Sequence, residues 1–165
     1  ETLPRAKDLI LALIGQLPAS MRAYWQRPHP IDVRIVDPSR YASREARPAA
    51  QAVWFKTAGM VPDSPFLQQA ILAYASDFTL LDTALIAHGK LLFDPDIQLA
   101  SLDHAMWFHR PFRVDEWLLY VQDSPAAAGA RGFCRGAIFN RAGQLVASTA
   151  QEGLMRKRRS NDELK

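Results

Sequence analysis

Cysteine is almost missing from this sequence, and other absences narrow it as much. A single cysteine, Cys134, excludes an internal disulfide and any cysteine-rich metal site. It sits in the strand-like run RGFCRGAIF, where a small buried residue is expected rather than a nucleophile. No apolar run reaches the length that spans a bilayer. The G-x-S-x-G elbow is absent, which excludes the usual serine-hydrolase arrangement. There is no phosphate-cradling glycine loop either, because GARG and RAGQ sit in hairpin-like turns. Net charge is only +3, and the excess gathers in RKRR at 156–159, without interleaved aromatics. That pattern suits a solvated tail and argues against a nucleic-acid surface. His104 and His109 lie five apart on a strand-like run, a poor spacing for joint metal ligands.

What is present fits one globular domain: 165 residues, 48% hydrophobic and 22% charged. The start, ETLPRAKDLILALIGQLP, has no initiator Met and is expected to begin inside a longer protein. It is too polar and periodic for a signal peptide, with Asp8 interrupting its apolar stretch. A short helix is predicted over 4–17, ending near Pro18, and IDVRIV (31–36) alternates as a half-buried strand. After a loop, AQAVWFKTA reads as a second strand. Asp63 or Ser64 is a helix N-cap, with Pro65 first in a long helix that stops near Gly89. Four β-rich segments follow, at about 96–109, 114–123, 130–140 and 144–155, the last two joined by a hairpin at NRAGQ. This order predicts an α+β domain, an antiparallel sheet wrapped around one long central helix. The expected organisation is an N-terminal helix and linker over 1–30, the sheet-and-helix domain over 31–156 and a basic polar tail over 157–165.

One acid disturbs this pattern. Helical spacing places Phe66, Ala70, Tyr74, Phe78, Leu81 and Leu85 on an apolar stripe, and Asp77 falls beside it. A carboxylate there loses hydration, so it caps an amide, pairs with an arginine or does chemistry. Alternation in QLASLDHAMWFHRPF puts Ala100, Leu102, His104, Met106 and Phe108 on one face. Ser101, Asp103, Trp107 and His109 take the other, so Asp103 and His104 form no dyad. His104 is expected to be a hydrogen-bonded core histidine with a structural role. By themselves, Ser101 and Gln151 are ordinary strand polars.

The blocks AYASDFTLL, SLDHAMWFHRPFRVDEWLLY and ARGFCRGAIFNRAGQLVASTAQEGLMR, in this order and spacing, resemble the C-terminal half of the acyl-CoA thioesterase II family. The likeness runs from about residue 30 to 156. It implies a hotdog fold, two such units in tandem, and hydrolysis of medium- to long-chain fatty acyl-CoA to free acid and CoA. No cofactor, metal or covalent intermediate is implied. The family's catalytic Asp, Ser or Thr, and Gln map onto Asp77, Ser101 and Gln151. Asp77 would deprotonate a water that Ser101 and Gln151 position, partial burial making it a stronger base. Backbone amides would stabilise the oxyanion. The implied partners are acyl-CoA and a second hotdog unit, either the N-terminal half or another copy in a homo-oligomer. Trp107, Trp117 and Tyr120 are candidates for that surface. Cytoplasm is the expected location, since NDELK matches no peroxisomal or retrieval signal. The alternative is a non-catalytic hotdog that binds acyl-CoA or serves as a scaffold. A hotdog dehydratase would need a histidine at the start of the central helix, and residues 62–74 contain none.

Overall fold

A serine and a proline start the central helix. The Ser64 side chain accepts the Leu67 N–H at 3.5 Å, and Pro65 opens the first turn with no N–H to satisfy. Gln68 then donates to Pro62 O at 3.2 Å and accepts the Val114 N–H at 2.8 Å, clipping the helix to the loop around Val114. In the computed structural model, which describes residues 2–13, 15, 17 and 19–158, the chain starts with α1 (Ala6–Ala12), α2 (Ala19–Gln26), β1 (Ile31–Ile35) and α3 (Ser39–Ala42). It continues through β2 (Ala50–Thr57), α4 (Pro65–Ser76), α5 (Asp82–Ile86), β3 (Ile97–Ser101) and β4 (Ala105–Phe108). The last strands are β5 (Leu118–Ala128), β6 (Arg131–Phe139) and β7 (Leu145–Lys157). Of the expected 157–165 tail, Lys157 belongs to β7, and residues 159–165 lie outside the described residues.

Among the described residues the strands form one antiparallel sheet in the order β1-β2-β5-β6-β7-β3, with β4 also on β7. Leu72, Ala75, Leu80, Leu81 and Ala84 pack against Phe55, Leu118, Tyr120, Ile138 and Val146, so the sheet wraps the helical segment as expected. Cys134 is fully buried in this core, and burial pushes its thiol up, consistent with a packing role. Gly89 ends α5: its φ is 60°, Lys90 N–H reaches Leu85 O at 3.1 Å, and a Cβ there would overlap Arg44 O. No described helix is long and apolar enough to cross a membrane.

Three expectations need correction. The long helix is two: α4 stops at Ser76, and a turn over 77–81 precedes α5. Polar side chains from distant strands hold that turn. Gln51 Nε2 donates to Thr79 O at 2.9 Å and to Gln122 Oε1 at 2.8 Å, while Gln122 Nε2 donates to Thr79 Oγ1 at 2.6 Å. The apolar stripe is also not the buried face. α4 buries Gln68, Leu72, Ala75 and Ser76, whereas Phe66 is 81% and Tyr74 54% exposed. Phe66, Ala70 and Tyr74 lie on the solvent side of α4, and of the stripe only Leu81 and Leu85, beyond the break, are buried. Finally, the N-terminal helix gives way to α2, and α3 lies inside the expected loop.

Candidate active site

The break in the sheet's edge builds the site. β3 and β4 both pair with β7, through Ser101 opposite Gly153 and Ala105 opposite Ala150. Leu102, Asp103 and His104 therefore stand against Gln151 and Glu152 alone, which is a bulge. Asp103 stabilises it by accepting the Glu152 N–H at 2.7 Å, and Leu102 N–H reaches Glu152 O at 2.9 Å. Simple alternation put Ser101 and His104 on opposite faces. The bulge instead brings both to the C-terminal end of α4.

Gln151 joins the parts. It is fully buried in β7, and its Nε2 donates to Asp77 Oδ1 at 2.6 Å and to Ser101 Oγ at 2.8 Å. The three residues named from the sequence thus share one hydrogen-bonded cluster, although 74 residues separate Gln151 from Asp77. Gln151 Oε1 is buried and has no hydrogen-bond partner among the described residues.

Asp77 itself differs from expectation. It caps α4 rather than sitting mid-helix, and its side chain is 52% exposed. Burial therefore does not set it apart. Its geometry, at a helix end with one oxygen held by an amide, is the distinguishing feature.

His104 was expected in the core and is found at the site. Its side chain is 21% exposed, Nε2 lies 2.9 Å from Ser76 Oγ, and Nδ1 lies 4.0 Å from Asp77 Oδ1. Sequence reasoning missed this because the bulge depends on register with β7. Beneath the site, the Tyr120 hydroxyl donates to Ser76 O at 3.3 Å and pairs with Thr149 Oγ1 at 2.8 Å. Desolvation pushes the Tyr120 phenol far up, so it remains a neutral hydrogen-bonding group supporting the end of α4.

A shallow 370 Å³ depression opens over the cluster, bounded by Tyr74, Asp77, Phe78, Ser101 and His104. A larger cavity, 640 Å³, lies elsewhere, between α1, α2 and β1, and shares Phe78 with the depression. The polar side chains Asp77, Ser101 and His104 converge on the smaller space. Exposed Phe66, Tyr74, Leu102, Trp107 and Phe108 lie on α4, the bulge and β4. Trp117 and Tyr120, also expected at the surface, are buried at 8% and 0% exposure. Tyr120 points inward from β5, and Trp117 lies beneath the cations of Arg34 and Lys56, 5.8 Å and 5.3 Å from its ring.

Comparison with known proteins bears on the family and the fold. A family model described as acyl-CoA thioesterase matches residues 32–154. The chain is 38% identical over 151 residues to acyl-CoA thioesterase 2 of Haemophilus influenzae, covering 91% of this chain and 53% of that protein. A solved structure, acyl-CoA thioesterase II TesB2 of Mycobacterium marinum, superposes with a TM-score of 0.69 at 45% identity, covering 86% of this chain and 52% of that one. A hotdog-fold protein of unknown function from Alicyclobacillus acidocaldarius shares the fold alone, at TM-score 0.63 and 14% identity, over 95% of this chain and 52% of that one. The chain spans about half the length of the Haemophilus relative.

Proposed function

Since this chain belongs to the acyl-CoA thioesterase family, we propose that it hydrolyses fatty acyl-CoA to free acid and CoA by direct attack of water. The observation that supports this best is the Gln151 amide bonded to both Asp77 and Ser101. Asp77 takes a proton from water as its oxygen bonds to the thioester carbon. Ser101 and Gln151 set the water's position and angle. The C–S bond then breaks, and the thiolate takes up the proton. A carboxylate suffices here because the thiolate is a good leaving group.

We assign the acyl group to the medium- to long-chain range. The exposed apolar side chains around the depression and the 640 Å³ cavity beyond Phe78 support that assignment. The test is hydrolysis of acyl-CoA esters of graded length, read by thiol release. Turnover should rise from short to medium and long chains. Acyl-CoA binding without turnover would favour the alternative, a non-catalytic hotdog unit, which the half-length match keeps open.

A second hotdog unit completes the site in this proposal. α4 exposes Phe66 and Tyr74, and Tyr74 borders the depression together with Leu102 of the bulge; the depression has an open side that such a unit would close. Apolar area of this kind on one face marks an interaction surface. Sedimentation of the purified chain should show an assembly larger than a monomer, or a tight complex with a separate hotdog half. A stable monomer at micromolar concentration that binds neither would refute it.

A further inference from the structure

We propose that His104 is a positioning residue that acts through Asp77: its Nδ1–H closes onto Asp77 Oδ1 and holds the carboxylate turned toward the attacking water. This role rests on the assignment of Asp77 as the base. Nδ1 is buried, has no hydrogen-bond partner and lies 4.0 Å from Asp77 Oδ1. That gap is slightly longer than a hydrogen bond, as is common for catalytic contacts that tighten only when substrate is bound.

The proton bookkeeping is restrictive. An ionised carboxylate only accepts, so the nitrogen that pairs with Asp77 must carry hydrogen. At the other end of the ring, Nε2 lies 2.9 Å from Ser76 Oγ, which itself lies 2.9 Å from Ala73 O. Ser76 has one proton for two acceptors. If it goes to Nε2, the ring is neutral with hydrogen on Nδ1. If it goes to Ala73 O, Nε2 donates and the neutral ring leaves Nδ1 bare. The first arrangement, with the Ser76 proton on Nε2, is the one in which a neutral ring turns an N–H to Asp77.

The surroundings leave the ring to this task. Asp103 is committed to the Glu152 N–H at 2.7 Å, and Glu152 faces Arg131 at 3.4 Å. Ser76 is fully buried and adjoins Asp77 in the chain, so the ring is anchored one residue from the group it orients. With Gln151 Nε2 on the same Oδ1 at 2.6 Å, that oxygen is held from two sides and the other is left for water.

Two substitutions separate the ring's ends. His104→Gln places an amide nitrogen near Nε2 and keeps the Ser76 bond, whereas His104→Asn places one near Nδ1 and keeps Asp77. Each is assayed in the assembly active on acyl-CoA, beside Asp77→Asn. His104→Gln should lower kcat roughly 10- to 100-fold, comparable to a misplacement of about 1 Å, with KM and Tm near the parent's. His104→Asn should recover part of kcat although it is less stable. In the Asp77→Asn background, His104→Gln should change little. A His104→Gln variant with parental kcat, while Asp77→Asn is impaired, overturns this role and leaves the base assignment standing. Normal turnover by Asp77→Asn overturns both. Independently of activity, nitrogen NMR should find hydrogen on His104 Nδ1 and a changed Nδ1 shift in Asp77→Asn. A bare Nδ1 or an unchanged shift also overturns the proposal.

Discussion

Asp77→Asn is expected to cut turnover by about 10²- to 10⁴-fold, the range for loss of a general base, with the fold intact. Asn has the same shape and offers Gln151 an oxygen in place of the carboxylate oxygen now 2.6 Å from its Nε2. What it cannot do is take a proton from water. Because the Asp77 side chain is 52% exposed, removing its charge leaves little desolvation to relieve, so the thermal midpoint should scarcely move. Ser101→Ala and Gln151→Ala should lower turnover as well. Combined with Asp77→Asn they should add far less than their separate effects, because all three serve one water. Gln151→Ala carries a further cost, since a fully buried side chain leaves a void and strips Ser101 of its partner. Steady-state hydrolysis with parallel thermal unfolding decides the matter. An Asn variant that folds and turns over normally would make Asp77 a structural residue.

The largest stability effect is expected from Gly136→Ala, a change that would be harmless on an open strand. Gly136 lies on β6 opposite Gln122 and Thr149. A Cβ there would overlap Tyr120 Cε2 and sit 2.7 Å from Thr149 Oγ1. Tyr120 cannot retreat easily. It is fully buried, its hydroxyl bonds Ser76 O and Thr149, and its ring packs edge-on to Phe55 at 6.1 Å. Overpacking of this kind costs roughly 1–3 kcal/mol, which for a domain of this size lowers the thermal midpoint by several degrees. The same shift would pull the Tyr120 hydroxyl from Ser76, the residue before Asp77, so turnover should fall in the folded fraction too. Denaturant unfolding with an unchanged midpoint would show that the ring has room to move.

Much of this architecture is written in local chemistry. Ser64 and Pro65 begin a helix in any context that leaves them free to, and Gly89 ends one because only glycine tolerates its backbone and its closeness to Arg44. Alternation in IDVRIV and AQAVWFKTA, and the turn at NRAGQ, place β1, β2 and the β6–β7 hairpin where they occur. Helical spacing marks Asp77 as an odd acid, but the joint role of Asp77, Ser101 and Gln151 comes from family resemblance, and their meeting is tertiary. So is the rest. The helix breaks after Ser76 because Gln51 and Gln122, from distant strands, claim the Thr79 carbonyl and hydroxyl. α4 carries two faces rich in apolar side chains, and only the curvature of the sheet selects Leu72 and Ala75 over Phe66 and Tyr74. The bulge at 102–104 exists because pairing with β7 resumes out of step, and that register decides that His104 faces Asp77 rather than the core. Local propensity acts over a few residues, whereas register and burial depend on partners 50 to 74 positions away along the chain.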